Sequence, residues 1–124
     1  MQLPGSRAAK LASARSLIQS ETGRDPSEAQ IGIILTGGLT YIVGAFTDDE
    51  MVLIPIRFIV PLRRLPDEDL LTLPPGTKVV RRSVGAFYVR FELVTPDARL
   101  RLHIAKQWRE LIGDLNRRSA GKAT

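Results

Sequence analysis

The clearest pattern in the chain is an alternation of apolar and polar residues in its C-terminal half. The apolar positions are Phe87, Val89, Phe91 and Leu93 within residues 86–94, and Leu100, Leu102 and Ile104 within residues 99–104. A period of two is typical of strands in a sheet with one buried and one solvated face. Residues 95–98 have the composition of a tight turn, so the two segments are predicted to pair as a hairpin.

Three further apolar runs predict strands in the first half of the chain, at 31–36, 39–46 and 51–56. Gly37 and Gly38 separate the first two runs, and a Gly pair favours a two-residue hairpin because both turn positions need positive φ. Pro55 and Pro61 cannot donate to a ladder, so the third run is predicted to lie at an edge or a bend. With a type II turn at 73–76, the pattern predicts six or seven short strands in all.

Two helices are predicted at the ends of the chain. Residues 5–21 form the first, which Ser6 can cap and which Gly23 follows. An apolar stripe predicts the second helix and consists of Ala105, Trp108, Leu111, Ile112 and Leu115. Trp108 is the expected structural anchor of this helix. Gly113 borders the stripe and predicts a close approach of the helix to a sheet.

The order of these elements predicts an α+β, mostly β fold. An antiparallel meander would form a partly open barrel or curled sheet, capped by the C-terminal helix and preceded by an extra N-terminal helix. The expected organisation is an amphipathic helix and linker at 1–30, a β domain with its C-terminal helix at 31–116, and a basic flexible tail at 117–124. A chain of 124 residues fits this single core.

This arrangement resembles the pleckstrin-homology-like superfold, and within it the bacterial and GRAM-type domains. The resemblance rests on the hairpin at 31–46, the paired strands at 87–104 and the closing helix with Trp108. The segment 53–59 also resembles an Ile-Pro-Leu-x-x-Ile stretch common in such domains. The resemblance implies a scaffold for protein or peptide contacts, often made through a sheet edge or the helix groove. Phosphoinositide binding is not expected, because the first hairpin loop at 36–38 is short and uncharged.

The residues favour a binding protein over an enzyme. There is no cysteine, which leaves no thiolate ligand or cysteine nucleophile, and His103 is the only histidine. His103 is predicted on the polar side of its strand, with no acid placed in the sequence to orient it. The acidic stretch 48–50 is predicted to be a solvated turn, because its spacing does not match a calcium loop. We therefore expect no catalytic residues, no metal site and no cofactor.

Positive charge is the feature that points to a partner. The chain has 18 basic against 13 acidic residues, a formal net charge of +5. Arginine presents a planar fork that matches carboxylate and phosphate groups. The alternation predicts one face for an anionic partner, made of Tyr88, Arg90, Arg99 and Arg101 and interrupted by Glu92. A basic loop cluster is also predicted, made of Arg63, Arg64, Arg81 and Arg82.

Three functions remain open from the sequence. The leading hypothesis is a non-catalytic interaction module that binds another protein or itself, with self-association through the apolar segment 51–62 or the N-terminal helix. The alternative is nucleic-acid binding through the Arg-rich strand face, where Tyr88 could stack a base. The weaker alternative is binding to an anionic membrane surface.

A cytoplasmic location is expected. No stretch approaches the ~20 apolar residues of a membrane span, and the N-terminus lacks the apolar core of a secretory signal. The first twenty residues contain no acid and three basic groups, a composition that also suits an organellar transit peptide. An amphipathic helix at the start of a cytosolic protein is the interpretation we prefer.

Overall fold

The computed structural model describes residues 6–57 and 62–121. The helices are α1 (Arg7–Thr22), a single 3-10 turn (Pro26–Glu28) and α2 (Arg109–Gly121). The strands are β1 (Ala29–Thr36), β2 (Leu39–Phe46), β3 (Met51–Arg57), β4 (Arg63–Arg64), β5 (Leu71–Leu73), β6 (Lys78–Val84), β7 (Tyr88–Val94) and β8 (Arg99–Ala105). In this part of the chain neither α-helix is long and apolar enough to cross a membrane.

Local sequence signals fix the ends of several elements, as predicted. The Ser6 hydroxyl accepts a hydrogen bond from the Ala9 N–H at the start of α1, and Gly23 ends the helix in the left-handed region. Gly37 and Gly38 both have positive φ, at 57° and 80°, and close the β1–β2 hairpin. The predicted hairpin turn between β7 and β8 is also confirmed.

The eight strands of the described residues form one antiparallel sheet that is not closed. Their order is β4-β3-β2-β1-β8-β7-β6, and the short β5 pairs with β3 beside β4. The α+β, mostly β prediction is therefore confirmed. The pairing of β1 with β8 joins the N-terminal meander to the C-terminal one. The two shortest strands, β4 and β5, were not predicted because neither is long enough to show a period.

The two helices cover opposite faces of the sheet centre. Gly44 in β2 lies under Ile18 of α1, whereas Gly32 in β1 lies under Leu111 and Trp108. Ile31, the register partner of Gly44, is the neighbour of Gly32, so the two glycines belong to opposite faces. Burial on both faces explains why β2 and β3 are apolar without alternation.

The prediction that the third run lies at an edge is wrong, because β3 lies between β2 and the pair β4 and β5. The Pro55 carbonyl accepts a hydrogen bond from the Leu65 N–H, on the β4 side of the strand. In an antiparallel strand the N–H and C=O of one residue point to the same side. The missing N–H of Pro55 therefore faces the gap between β4, which pairs from Ile56, and β5, which pairs from Leu53. Pro61 lies outside the described residues.

The C-terminal helix differs from the prediction at both ends. Ala105 ends β8, and Trp108 precedes α2, although its side chain is 2% exposed and so acts as the predicted anchor. Gly113 meets open space instead of a sheet. The prediction of a flexible tail from residue 117 is wrong for residues 117–121, because α2 continues to Gly121. Arg118 holds this last turn in place by donating to the Phe46 and Asp49 carbonyls.

Candidate functional site

The register of β7 and β8 places the predicted anionic-partner residues on one face. Arg90 is opposite His103, Val94 is opposite Arg99, and Tyr88 is opposite Ala105. Side chains of paired residues project to the same side, so Tyr88, Arg90, Arg99 and Arg101 share the outer face of this hairpin. Arg82 of β6 joins them, as described below. We call the exposed surface made of Tyr88, Arg82, Arg90, Arg99 and Arg101 the arginine face.

The arginine face continues the side of the sheet that α1 covers. His103 of β8 pairs with Leu35 of β1, and Leu35 has the same orientation as Ile31, which lies on the α1 side. Helix α1 covers this side over β1 and β2, whereas the arginines on β6–β8 stay exposed. The opposite side of β6–β8 packs into the core through Val79, Val89, Phe91, Leu93, Leu102 and Ile104.

Glu92 lies beneath three guanidinium groups and does not interrupt the surface. Its side chain is only 2% exposed, whereas those of Arg82, Arg99 and Arg101 are 54–80% exposed. Arg99 Nη1 lies 2.7 Å from Glu92 Oε1, and Nε of both Arg82 and Arg101 lies 3.7 Å from Oε2. One carboxylate thus offsets three cations. The prediction that Glu92 breaks a positive face is wrong, because the arginines extend over it.

A bulge in β6 brings Arg82 to this face. Arg81 pairs with Phe91 and Ser83 with Arg90, so the register shifts between them and Arg82 is the extra residue. The Arg82 side chain consequently reaches Glu92, while Arg81 lines a hollow beside α2 on the other side of the strand. Sequence reasoning missed Arg82 here because a bulge interrupts the period of two and leaves no mark in the residue pattern.

The predicted basic loop cluster is not brought together. Arg63 and Arg64 form β4, whereas Arg81 and Arg82 lie in β6, at the opposite end of the strand order. All four residues lie on strands instead of loops. Arg64 serves as a tie between elements, because its Nη1 donates to Glu21 Oε1 of α1 at 2.7 Å.

Phe87 differs most from its predicted environment. The alternation places it in the core, yet it precedes β7 and its side chain is 77% exposed. It follows Gly85 and Ala86 at the end of the β6–β7 hairpin, where the chain bends and the strand period no longer applies. Phe87 and its half-exposed neighbour Tyr88 are therefore two exposed aromatic residues at the start of β7, and Tyr88 is the one that lies on the arginine face.

A groove of about 370 Å³ adjoins that same end. Its lining includes Ile33, Leu35, Thr40, Tyr88, His103 and Trp108. The groove exists because β1 and β8 pair at only two positions, Ile34 with Ile104 and Leu35 with His103, and then diverge. The Tyr88 and His103 rings meet edge to face at 6.5 Å. No sequence signal marked this groove, since its walls come from four separate parts of the chain, including Lys10 of α1.

The chemistry available at this surface is recognition of charge and of flat rings. Exposed guanidiniums offer forked N–H donors to phosphate or carboxylate oxygens. The groove adds aromatic side chains together with the hydroxyl of Thr40 and the imidazole of His103. Across residues 6–57 and 62–121, no three His, Asp or Glu side chains are grouped so that they could hold a metal ion.

No protein-family model, curated protein or solved structure matches this chain. The arginine face and its adjoining groove are therefore the features of the chain that point to a function.

Proposed function

We propose that this protein is a non-catalytic interaction module that binds an anionic macromolecular partner through the arginine face. The observation that carries the proposal is the grouping of Arg82, Arg99 and Arg101 around the buried Glu92. The group keeps a net positive charge directed to solvent. Arg90 adds a further charge and is exposed, with no ion-pair partner among the residues that the structure describes.

Partial ordering of these arginines favours binding. A long side chain such as arginine gives up as much as ~2 kcal/mol of rotamer entropy when it is fixed. The hydrogen bond to Glu92 restrains Arg99, and the same carboxylate attracts Arg82 and Arg101 from 3.7 Å, so a partner would have less left to order. Their guanidiniums still expose N–H donors, because more than half of each side chain remains accessible. This combination is typical of a docking surface.

Self-association through the apolar segment 51–62 has less support. Its described apolar residues form part of the core and are at most 4% exposed: Met51, Val52, Leu53, Ile54, Ile56 and Leu62. Helix α1 also directs Ala14 and Ile18 inward. A partner that used residues 51–56 or the inward side of α1 would have to displace core packing, whereas the arginine face is already open.

The proposal includes a pleckstrin-homology-like architecture and a cytoplasmic location. The open antiparallel meander followed by a C-terminal helix supports the first. A chain without cysteine is compatible with a reducing compartment, which supports the second. In this proposal the protein acts as a scaffold that presents one charged strand face.

Equilibrium binding to three polyanions tests this function. The probes are poly-glutamate, a single-stranded oligonucleotide and vesicles containing an anionic lipid, each at low salt. The wild-type protein should bind at least one probe, with an affinity that falls as salt is added. The double substitution Arg90→Gln and Arg101→Gln should weaken that binding by about tenfold or more, since each lost charge-assisted contact is worth roughly 1.5–3 kcal/mol.

Arg57→Gln combined with Arg63→Gln is the matched control, because it also removes two exposed charges, from paired residues at the opposite end of the strand order. Its affinity should stay close to that of the wild type. If the wild-type protein binds none of the three probes, the proposal is refuted. An equal loss of affinity in this control variant would also refute it, since general attraction to a basic protein would then explain the binding.

A further inference from the structure

The groove and the arginine face share residues and form one continuous surface. Tyr88 belongs to both, and His103 in the groove wall is the cross-strand partner of Arg90. Directly opposed residues in an antiparallel pair have Cβ atoms only about 5 Å apart. The Arg90 guanidinium therefore lies at the mouth of the groove, beside any ligand group that enters it.

Basic residues continue from the mouth of the groove along the strands in regular steps. On the outer face, Tyr88, Arg90, Glu92 and Val94 follow one another on β7, opposite Ala105, His103, Arg101 and Arg99. Each step of two residues advances by about 6.6 Å, so the track from the groove to Arg99 is roughly 20 Å long. A chain with a repeating negative charge fits this linear arrangement better than a compact anion does.

The groove distinguishes between the polymers that could follow the track. A run of Asp and Glu residues supplies carboxylates for the arginines, but these side chains carry no flat ring for Tyr88 and the groove. A nucleic-acid duplex supplies phosphates, but its bases remain stacked inside the helix. A single strand supplies both, since its bases are free to stack on aromatic side chains while Arg contacts its phosphates.

Resting on the proposed function, we infer that the partner is single-stranded nucleic acid. One base enters the groove and stacks on Tyr88, with Thr40 and His103 beside its polar edge. The phosphates that follow lie on Arg90, Arg101 and Arg99. Glu92 acts as a positioning residue for Arg99, because it accepts a hydrogen bond from that guanidinium and lies beneath it, away from the strand.

Fluorescence anisotropy with four probes tests this inference. They are a single strand of about twelve nucleotides, the duplex of the same sequence, an abasic strand of equal length, and poly-glutamate of matched charge. The single strand should bind most tightly. Tyr88→Ala should weaken it roughly 5- to 150-fold, as expected for the loss of one stacked base, and should not alter binding of the abasic strand.

Salt dependence separates the charge contacts from the stacking contact. Arg90→Gln should lower the slope of log affinity against log salt by about 0.7, the value for one phosphate contact to a single strand. Tyr88→Ala should leave that slope unchanged. Val84→Ala and Arg63→Gln are the controls: Val84 is half-exposed on the opposite side of β6, and Arg63 lies at the other end of the sheet. Neither substitution should alter the affinity or the slope.

The outcomes separate this inference from the proposed function. Equal binding of the intact and abasic strands would overturn the base-binding role of the groove, and this readout does not depend on how Tyr88→Ala folds. Arg90-dependent binding of poly-glutamate without binding of the single strand would overturn the inference and leave the proposed function standing. If none of the four probes binds at low salt, the inference is wrong, and if the anionic vesicles also fail to bind, the proposed function is wrong as well.

Discussion

At the scale of single residues, Glu92 shows how a surface position can become a buried one. Alternation places it correctly on the outer face, but Arg82, Arg99 and Arg101 then cover it. A sequence pattern depends on the polarity of each residue alone, so it does not show that three neighbouring side chains enclose one carboxylate. Phe87 is the converse case, an apolar residue left exposed because the chain bends before β7 begins.

Substitution of Glu92 tests this arrangement. Glu92→Gln removes the charge that holds three cations together and should lower the free energy of unfolding by about 1–3 kcal/mol, the range for buried groups bonded to charges. Chemical denaturation measures the change. Asp97→Asn, at an exposed turn near β7 and β8, is the control and should stay within about 0.5 kcal/mol of the wild type. A Glu92→Gln variant as stable as Asp97→Asn would show that the cluster has no structural role.

At the scale of elements, the closest approach at any glycine of the described residues is that of α2 to Gly32 of β1. A methyl group added at Gly32 would lie 3.0 Å from Leu111 Cβ and 3.2 Å from Trp108 Cβ, both fixed to backbone. Gly32→Ala should therefore push α2 off the sheet and lower the free energy of unfolding by roughly 1–3 kcal/mol.

Gly113→Ala provides the matched comparison. The added methyl meets open space and removes a glycine from a helix interior, so stability should rise by up to about 1 kcal/mol. Thermal or chemical unfolding of both variants measures whether each substitution raises or lowers the stability. If Gly113→Ala destabilised as much as Gly32→Ala, the docking of α2 described above would be incorrect.

A second contact between elements depends on pH. Asp48, in the turn after β2, accepts a hydrogen bond from the Glu50 N–H and pairs with Arg24, which follows α1. The backbone N–H of Glu50 and then the Arg24 guanidinium hold the pKa of the Asp48 carboxyl below its ordinary value of 3.8. The stabilising contribution is therefore complete above pH 3.8 and is lost as the pH falls through the lower, folded-state pKa.

Comparison of the wild type with Asp48→Asn over a pH series tests this contact. The stability difference between them should be largest near neutral pH and should shrink below pH 3.8. Denaturant titrations at each pH measure it. A difference that stays constant down to the lowest pH at which both proteins fold would mean that the Asp48 charge does not support the turn.

Elements with their own local signals were predictable, and elements defined by their neighbours were not. Ser6, Gly23, Gly37 and Gly38 set ends and turns by backbone chemistry alone, and the structure confirms them. The interior position of β3 was not predictable, since Pro55 fits there only because β4 and β5 leave a gap. Likewise, Gly113 suggested a close approach that the structure shows at Gly32.

At the scale of the whole molecule, uneven coverage of the sheet creates the candidate site. Both faces of the centre are covered by helices, but β6–β8 have one open side, and the open side carries the exposed arginines. The sequence predicted Tyr88, Arg90, Arg99 and Arg101 on that face from a period of two. It could not predict Arg82, which depends on a bulge, or the groove, which depends on where β1 and β8 separate.

The most direct measurement of the central claim is amide chemical-shift mapping during titration with a short single-stranded oligonucleotide. Shifts should concentrate on β7 and β8, around Tyr88, Arg90, Arg101 and His103, and on the β1–β2 hairpin beside the groove. The amide shifts of β4 and of the exposed side of α1 should not change. Shifts centred on those two elements, or spread evenly over every basic residue, would contradict the arginine face as the binding surface.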